Sequence, residues 1–176
     1  MRIMVIGSGG SGKSTFSTQL HEITGIELIH LDQHYWKPNW EESSREEWID
    51  KVIELSEKEA WIMDGNYGGT MNIRLEKADT IIFMDRSRWL CLYRVLKRVF
   101  RNYGRTRKDM GAGCKEKFSW AFMVYVFHYN DTRRPKILRQ LKRLEARKEV
   151  VILRSGRAVD AYLGEIRKRY AFSGKQ

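Results

Sequence analysis

The chain of 176 residues holds few of the residues that mark disulfide-rich, metal-binding or membrane proteins. Its two cysteines, Cys91 and Cys114, are too few for a disulfide framework. The four histidines are scattered and lack the spacing of metal ligands. The longest apolar run, residues 118–129, is about half as long as a bilayer crossing requires. The sequence therefore predicts neither a secreted disulfide scaffold nor a histidine-based metal protein nor a membrane span.

Proline and low-complexity sequence are also scarce. Pro38 and Pro135 are the only prolines, and no repeat or linker-like segment occurs. We therefore expect one domain over residues 1–176. Arg2 is followed at once by a short apolar run that ends in glycines, which predicts no signal peptide. Together with the low cysteine content, this favours a cytoplasmic protein.

Acidic residues are scarce in the second half of the chain. Residues 1–88 carry 10 Lys or Arg and 15 Asp or Glu, a net charge of −5. Residues 89–176 carry 23 basic and 7 acidic side chains, a net charge of +16, which brings the whole chain to +11. This one-sided excess predicts an anionic partner, which could be nucleotide phosphate, nucleic acid or an acidic membrane surface.

Short β-type runs alternate with segments of helical periodicity along the chain. The predicted strands cover residues 3–6, 27–31, 60–63, 80–84 and 150–153. The predicted helices begin after the first glycines, after a capping box at Ser43 and Ser44, after Ser87, at Pro135 and near residue 159. Five strands alternating with helices indicate an α/β fold, with a five-stranded parallel sheet and helices on both faces. Ligands of such sheets bind beyond the carboxyl ends of the strands.

Residues 105–134 interrupt this alternation. The segment is basic at both ends, and an aromatic stripe formed by Phe118, Phe122, Tyr125 and Tyr129 lies between them. We predict a helical, lid-like insertion here. Its apolar residues occupy two helical faces, more than one supporting helix needs, so both closure against the main body and a dimer contact remain open. Monomer and homodimer are both compatible with the sequence.

A phosphate-binding loop is the strongest motif in the sequence. Residues 6–15 read Ile-Gly-Ser-Gly-Gly-Ser-Gly-Lys-Ser-Thr, directly after a strand and before a helix. The pattern G-x-x-x-x-G-K-[ST] points main-chain N–H groups and a helix N-terminus at phosphate oxygens. Lys13 would reach the β- and γ-phosphates, Ser14 would bind Mg²⁺, and Thr15 would contact the α-phosphate. The predicted nucleotide-binding residues are Gly7, Gly9, Gly10, Ser11, Gly12, Lys13, Ser14, Thr15, Arg94 and Arg98.

The same glycines also fit a dinucleotide-binding fingerprint. Gly7, Gly9 and Gly12 follow the pattern G-x-G-x-x-G, and Asp32 lies 20 residues after the last glycine, where a ribose-binding acid would stand. Lys13 and Ser14 favour the triphosphate, because a dinucleotide loop needs neither a lysine nor a magnesium-binding hydroxyl at this point.

Two aspartates follow predicted strands and are candidates for chemistry. Asp32 ends the second strand and would accept the proton of an acceptor hydroxyl or hold a water on Mg²⁺. A turn or helix cap is the ordinary alternative for such a residue. Asp64 ends the third strand next to the phosphate loop and would support Mg²⁺ through a water. The predicted metal residues are therefore Ser14 and Asp64, and the cofactors are ATP and Mg²⁺.

Arginines supply the other candidate residues. Arg94 and Arg98 share one helix face and would stack on a purine or neutralise charge on the transferred phosphate. Arg133 would join them when the insertion closes. Arg74, between Asp64 and the fourth strand, would contact the acceptor. The predicted catalytic residues are Lys13, Asp32, Arg98 and Arg133, and the predicted substrate-binding residues are Asp32 and Arg74.

Several motifs in this order resemble the bacterial DNA topology modulation protein family. They comprise residues 7–15, His30-Leu-Asp32, Trp36-Lys-Pro-Asn-Trp40, Asp64-Gly-Asn-Tyr67, Phe83-Met-Asp85, Arg94 to Arg98 and Arg133-Arg-Pro135. The resemblance implies a core like that of adenylate and shikimate kinases, an arginine-bearing lid, and binding of ATP and Mg²⁺. It implies kinase chemistry by analogy. Asp64-Gly-Asn-Tyr stands where those kinases have Asp-Gly-Phe-Pro-Arg, which argues against a nucleoside monophosphate acceptor.

Two functions are expected from different classes. The first is a small kinase that transfers the γ-phosphate of ATP to a small-molecule acceptor. The second is an ATP-linked, DNA-associated binding protein without kinase activity, suggested by the charge of residues 89–176. The sequence contains no recognition helix and no other motif that reads DNA.

Overall fold

A computed structural model describes residues 1–173 of the chain, in which strands and helices alternate. The strands are β1 (Arg2–Gly7), β2 (Leu28–His30), β3 (Trp36–Lys37), β4 (Glu41–Glu42), β5 (Trp61–Asp64), β6 (Thr80–Met84) and β7 (Glu149–Ile152). The helices are α1 (Lys13–Thr24), α2 (Leu31–Tyr35), α3 (Arg45–Glu57), α4 (Met71–Lys77), α5 (Arg88–Asn102), α6 (Trp120–Thr132), α7 (Arg134–Leu144) and α8 (Gly156–Ser173).

Five strands form one parallel sheet in the order β2-β5-β1-β6-β7. The central strand β1 pairs with β5 on one side and β6 on the other, so that Val5 lies opposite both Asp64 and Ile82. The predicted α/β fold with a five-stranded parallel sheet and helices on both faces is confirmed. Strands β3 and β4 form a separate antiparallel hairpin that the sequence analysis did not predict.

The two faces of the sheet carry separate cores because neighbouring side chains of a strand point to opposite faces. Ile3 and Val5 face α1 and α8, where Phe16 and Leu163 are buried. Met4 and Ile6 face the opposite side, which α3, α4, α6 and α7 cover. The buried residues of this second core include Trp48, Val52, Leu55, Leu75, Tyr129, Ile137 and Leu141. Both faces of β1 are therefore fully covered, as parallel sheets require.

The parallel arrangement brings four chain turns to one edge of the sheet. The loop after β1, the start of α2 after β2, and the loops after β5 and β6 all lie at the carboxyl ends of their strands. The candidate residues of the loop after β1 and of α2 lie at this edge, and so does Asp64 at the end of β5. No helix among residues 1–173 is both long enough and apolar enough to cross a membrane.

Candidate active site

The glycine loop has the backbone of a phosphate-binding turn. Gly10 and Gly12 have φ values of 76° and 96°, in the left-handed region that favours glycine. Gly12 is the N-cap residue of α1, so the helix starts at Lys13 and directs its N-terminus at the loop. This is the strand–loop–helix geometry that binds phosphate through main-chain N–H groups.

Close packing explains why Gly9 and Gly10 cannot carry side chains. A Cβ atom at Gly10 would collide with the main-chain oxygen of Cys91 in α5. A Cβ atom at Gly9 would collide with the ring of Phe122 in α6. The loop is thus held against α5 and α6, and its shape depends on helices that lie far along the chain.

Two predicted cations contact the loop directly. The ammonium group of Lys13 donates a hydrogen bond to the main-chain oxygen of Ser8, 3.1 Å away. The guanidinium group of Arg94 donates to the main-chain oxygen of Ser11 at 3.3 Å. Lys13 and Arg94 therefore place positive charge at both ends of a turn whose N–H groups already favour anions.

Asp64 lies at the end of β5, beside the start of the loop. Its Oδ2 atom lies 3.1 Å from Nδ1 of His30, on the neighbouring strand β2. Burial opposes protonation of His30, but the hydrogen bond to Asp64 and the surrounding carboxylates raise its pKa. The other carboxylate atom, Oδ1, is buried and has no hydrogen-bond partner within residues 1–173.

Asp32 occupies the first turn of α2 and is partly buried. Its carboxylate accepts a hydrogen bond from the hydroxyl of Tyr67. Burial raises the pKa of Asp32 above its usual range, the Tyr67 hydrogen bond lowers it, and the nearby Asp64 raises it further. Lys13 also lowers the pKa of Asp32, which places Asp32 within electrostatic reach of the phosphate loop.

The expectation for Arg74 needs correction. Its side chain is fully buried. Its guanidinium group donates hydrogen bonds to the main-chain oxygens of Gly65, Asn66 and Tyr67. Since these bonds turn it toward the protein interior, Arg74 holds the loop after β5 in place and does not face an acceptor. This loop includes Tyr67, whose φ of 39° is left-handed and therefore depends on outside support.

Asn66 is a site residue that the sequence analysis missed. Its side chain accepts a hydrogen bond from the N–H of Gly7 at 3.0 Å and donates one to the oxygen of Gly7 at 2.7 Å. It also donates to the hydroxyl of Tyr125 in α6. The loop after β5 is thereby fixed to the first residue of the phosphate loop. The only sequence signal for this role is its position two residues after Asp64, at the end of a core strand.

Arg98 lies in a charged network that also includes residues missed from the sequence. Glu116 is buried and lies 3.4 Å from Arg98 and 2.7 Å from Arg107. Arg107 also pairs with Asp109 at 2.8 Å. Burial and the positive charge of Arg107 lower the pKa of Arg98, which the nearby Glu116 partly offsets, and Arg107 also lowers the pKa of Asp32. The network therefore lies within electrostatic reach of Asp32.

The segment between α5 and α6 packs against residues 33–40. The amide of Gln33 donates to the oxygen of Lys108 at 2.6 Å, and the indole of Trp40 donates to the oxygen of Lys115 at 2.8 Å. The thiol of Cys114 contacts the oxygen of Lys37. A lid role for residues 105–134 stays a prediction. The helical part of that segment, α6, packs in the protein interior, where Val126 and Tyr129 are buried.

Two cavities flank Tyr67 and Gly68. One has a volume of about 360 Å³ and is lined by Tyr35, Glu42, Ser43, Arg45, Trp48, Tyr67, Gly68 and Gly69. The other has a volume of about 320 Å³ and is lined by Asn66, Tyr67, Gly68, Met71, Tyr125, Tyr129, Arg133, Lys136, Ile137 and Gln140. Arg133 therefore lies at the edge of the second cavity, next to the loop that carries Asn66.

The residues fit a nucleotide with Mg²⁺ better than a metal ion alone. No group of three or more His, Cys, Asp or Glu side chains in the described part of the chain could hold a metal. The Ser14 hydroxyl would supply one oxygen, Asp64 would hold a water of the shell through its unpaired Oδ1, and phosphate oxygens and further waters would complete the shell. Magnesium ions are commonly bound in this shared way.

Comparison with known proteins identifies the fold. No protein-family model and no curated protein sequence matches the chain. A shikimate kinase from Aquifex aeolicus vf5 is 17% identical with a TM-score of 0.52, and the match covers 99% of this chain and 98% of that one. A sugar kinase from Janibacter sp. HTCC2649 is 16% identical (TM-score 0.49, 96% and 90% covered). A deoxyadenosine kinase from M. mycoides is 15% identical (TM-score 0.49, 96% and 97% covered). The match to the shikimate kinase shows a shared fold.

Proposed function

We propose that this chain is an ATP-dependent phosphotransferase that moves the γ-phosphate of ATP to a hydroxyl group of a small acceptor. The observation that carries the proposal is the meeting of three elements at one sheet edge. Lys13 and Arg94 contact the glycine loop, β5 ends in Asp64, and α2 carries Asp32. Membership of the DNA topology modulation family, which rests on the sequence motifs, is part of this proposal.

The loop and its cations would bind the phosphates of ATP. Main-chain N–H groups of residues 7–12 and the N-terminus of α1 would face the oxygens, and Lys13 would leave the Ser8 oxygen for the β- and γ-phosphates. Ser14 and, through a water, Asp64 would hold Mg²⁺, which neutralises charge on the phosphates. Thr15 would contact the α-phosphate. Positioning and electrostatic stabilisation account for most of the rate in such reactions.

Asp32 would accept the proton of the acceptor hydroxyl. A carboxylate with a raised pKa is a better base than an ordinary aspartate, because its affinity for a proton is higher. Tyr67 orients it through the hydroxyl hydrogen bond. Tyr67, the hydrogen-bond partner of Asp32, lines both cavities, which are the candidate sites for the acceptor. Arg133 lines the second cavity and would steady the transferred group from there.

The substitution Lys13→Ala tests the nucleotide site. In the parent protein, MgATP at about 100 times its dissociation constant would stabilise the fold by about 2.7 kcal/mol, a rise in melting temperature of roughly 5–10 °C. We expect Lys13→Ala to lose most of this rise and at least about a hundredfold of ATP turnover. Thermal unfolding and ADP release measure the two effects.

The control variant Lys168→Ala removes the same charge from the exposed surface of α8 and should behave like the parent protein. Normal turnover in Lys13→Ala would overturn the proposal. So would a melting temperature raised by NAD and unaffected by MgATP, which would restore the dinucleotide hypothesis.

A further inference from the structure

Helices α5 and α6 leave a large apolar surface exposed. Phe100 is 84% exposed, Trp120 73% and Trp89 68%. Tyr93, Leu96 and Val124 extend the surface between them. We call these six residues the α5–α6 outer face. The buried side of the helix pair is separate and consists of Cys91, Val95, Val99 and Val126.

The area of this face is at the upper limit of the largest apolar patch that a monomer normally exposes. A fully exposed aromatic side chain offers about 150–250 Å², and the four aromatic residues of the face are 60–84% exposed. Together they present roughly 600 Å² of apolar surface, at the upper limit for the largest patch on a monomer. A standard interface buries about 800 Å² per partner, of which a little over half is apolar. The face is therefore large enough to form the core of a stable interface.

The spacing of the residues identifies a helical partner. Trp89, Tyr93, Leu96 and Phe100 follow one another at intervals of four, three and four residues along α5. Trp120 and Val124 begin the same pattern in α6, which Phe127 continues. Apolar residues that repeat in this way form the seam along which helices pack side by side. A second pair of helices with the same two seams would complete a four-helix arrangement.

The charges around the face distinguish a second copy of the chain from a lipid surface. Along α5, Lys97 and Arg101 are exposed beside the face, and their spacing of four residues places them on the same side of it. Helix α6 contains no Lys or Arg, and Arg88 is neutralised by Asp131 at 2.8 Å. An apolar patch that docks on anionic lipid needs cations on its polar surroundings generally. The cations beside the α5–α6 outer face lie along a single edge, which favours a second copy of the chain over a lipid surface.

The face is preformed at its Trp89 end. Trp89 packs edge-on against Phe127, with ring centroids 5.7 Å apart, and Arg88 lies over the same ring at 5.1 Å. These contacts restrict the side chains before any partner binds, which lowers the entropic cost of association.

We propose that the chain forms a homodimer through the α5–α6 outer face. In a two-fold dimer the same patch meets itself, and α5 and α6 of one subunit pack on α5 and α6 of the other. The opposite side of α5 carries Arg94, whose hydrogen bond to Ser11 leaves the phosphate loop outside the interface. The dimer therefore does not depend on the proposed function.

Sedimentation velocity of the full chain between about 1 and 100 μM tests this proposal. We expect a dimer for the parent protein and at least a thirtyfold weaker association for Phe100→Glu, because the most exposed aromatic side chain of the face would be replaced by a buried, unpaired charge. Ile53→Glu places the same charge on an apolar residue of α3 that is 43% exposed, outside the face, and should remain dimeric. Tyr93→Glu provides a second variant if Phe100→Glu loses its circular dichroism spectrum.

Three results would overturn the proposal. The first is a parent protein that is monomeric at 100 μM, including one that instead binds vesicles containing anionic lipid. The second is dissociation of Ile53→Glu to the same extent as Phe100→Glu. The third is a dimer that survives both Phe100→Glu and Tyr93→Glu with the fold intact.

Discussion

At the scale of single residues, Asp32 shows how burial and one hydrogen bond set the chemistry of a carboxylate. Burial raises its pKa, and the hydroxyl of Tyr67 opposes that rise by stabilising the charged form. A base must be deprotonated to act. The activity should therefore fall, as the pH decreases, through a pKa above the usual range of an aspartate.

Removal of the Tyr67 hydroxyl should move this pKa further. In Tyr67→Phe the carboxylate loses a hydrogen bond that favours its charged form, so the acid limb of the kcat/KM profile should shift to higher pH. Tyr35→Phe is the matched control, because its hydroxyl contacts Glu42 and not Asp32. Asp32→Asn should lose the limb and about 10²–10⁴ of the rate. A Tyr67→Phe profile that coincides with that of Tyr35→Phe would contradict this assignment.

Single residues also show where sequence reasoning stops. Lys13 follows from a contiguous motif whose local geometry is fixed, and the structure places it at the loop. The prediction that Arg74 contacts the acceptor is wrong, because the sequence does not show whether an arginine near a candidate site is buried or exposed. Asn66 and Gly7 meet across 59 residues, and no local pattern indicates that contact. Arg107 is not among the predicted site residues, because only the folded chain brings it to its partner Glu116.

At the scale of elements, the start of α3 rests on a complete capping box. The hydroxyl of Ser44 accepts a hydrogen bond from the N–H of Glu47, and the carboxylate of Glu47 accepts one from the N–H of Ser44. Ser87 is also an N-cap residue, at the start of α5, but its side chain makes no capping hydrogen bond. The two serines form a natural comparison.

Ser44→Ala should therefore destabilise the protein and Ser87→Ala should not. We expect a loss of about 1 kcal/mol for Ser44→Ala, within the usual range of about 0.5–2 kcal/mol. That corresponds to a fall in melting temperature of about 2–4 °C in a chain of this size. Calorimetry of both variants measures the difference. Equal effects would show that the box does not hold α3.

The elements that sequence predicted best are the long or strongly patterned ones. The strand predicted over residues 80–84 coincides with β6, and the predicted capping box marks the start of α3. The β3–β4 hairpin and the five-residue helix α2 were missed, because two to five residues contain too little periodicity to recognise. The strand predicted to reach Leu31 ends at His30, where α2 begins and carries Asp32 to the site.

At the scale of the whole molecule, charge separates the two expected functions. The net charge of +16 on residues 89–176 would attract any polyanion at low salt. Part of this charge is already engaged, since Arg94 contacts the phosphate loop and Arg98 and Arg107 contact Glu116. Cations that serve a nucleotide site need not support binding to nucleic acid.

Binding to duplex DNA should therefore be weak and lost with salt. We expect detectable binding at about 50 mM salt and a decrease of about 10³-fold or more by about 200 mM. The affinity for MgATP should change much less over the same range, because its contacts are few and local. Fluorescence anisotropy with labelled DNA and labelled nucleotide measures both. DNA binding that stays tight near physiological salt would favour the DNA-associated function.

The central position of β1 has a consequence for biosynthesis. It is synthesised before its sheet neighbours β5 and β6, which begin only at Trp61 and Thr80. The glycine turn that follows β1 is also hydrogen-bonded to Asn66 and packs closely against the main chain at Cys91. The nucleotide motif is therefore synthesised well before the residues that surround it, and ATP cannot assist folding until the chain has been translated at least as far as Cys91.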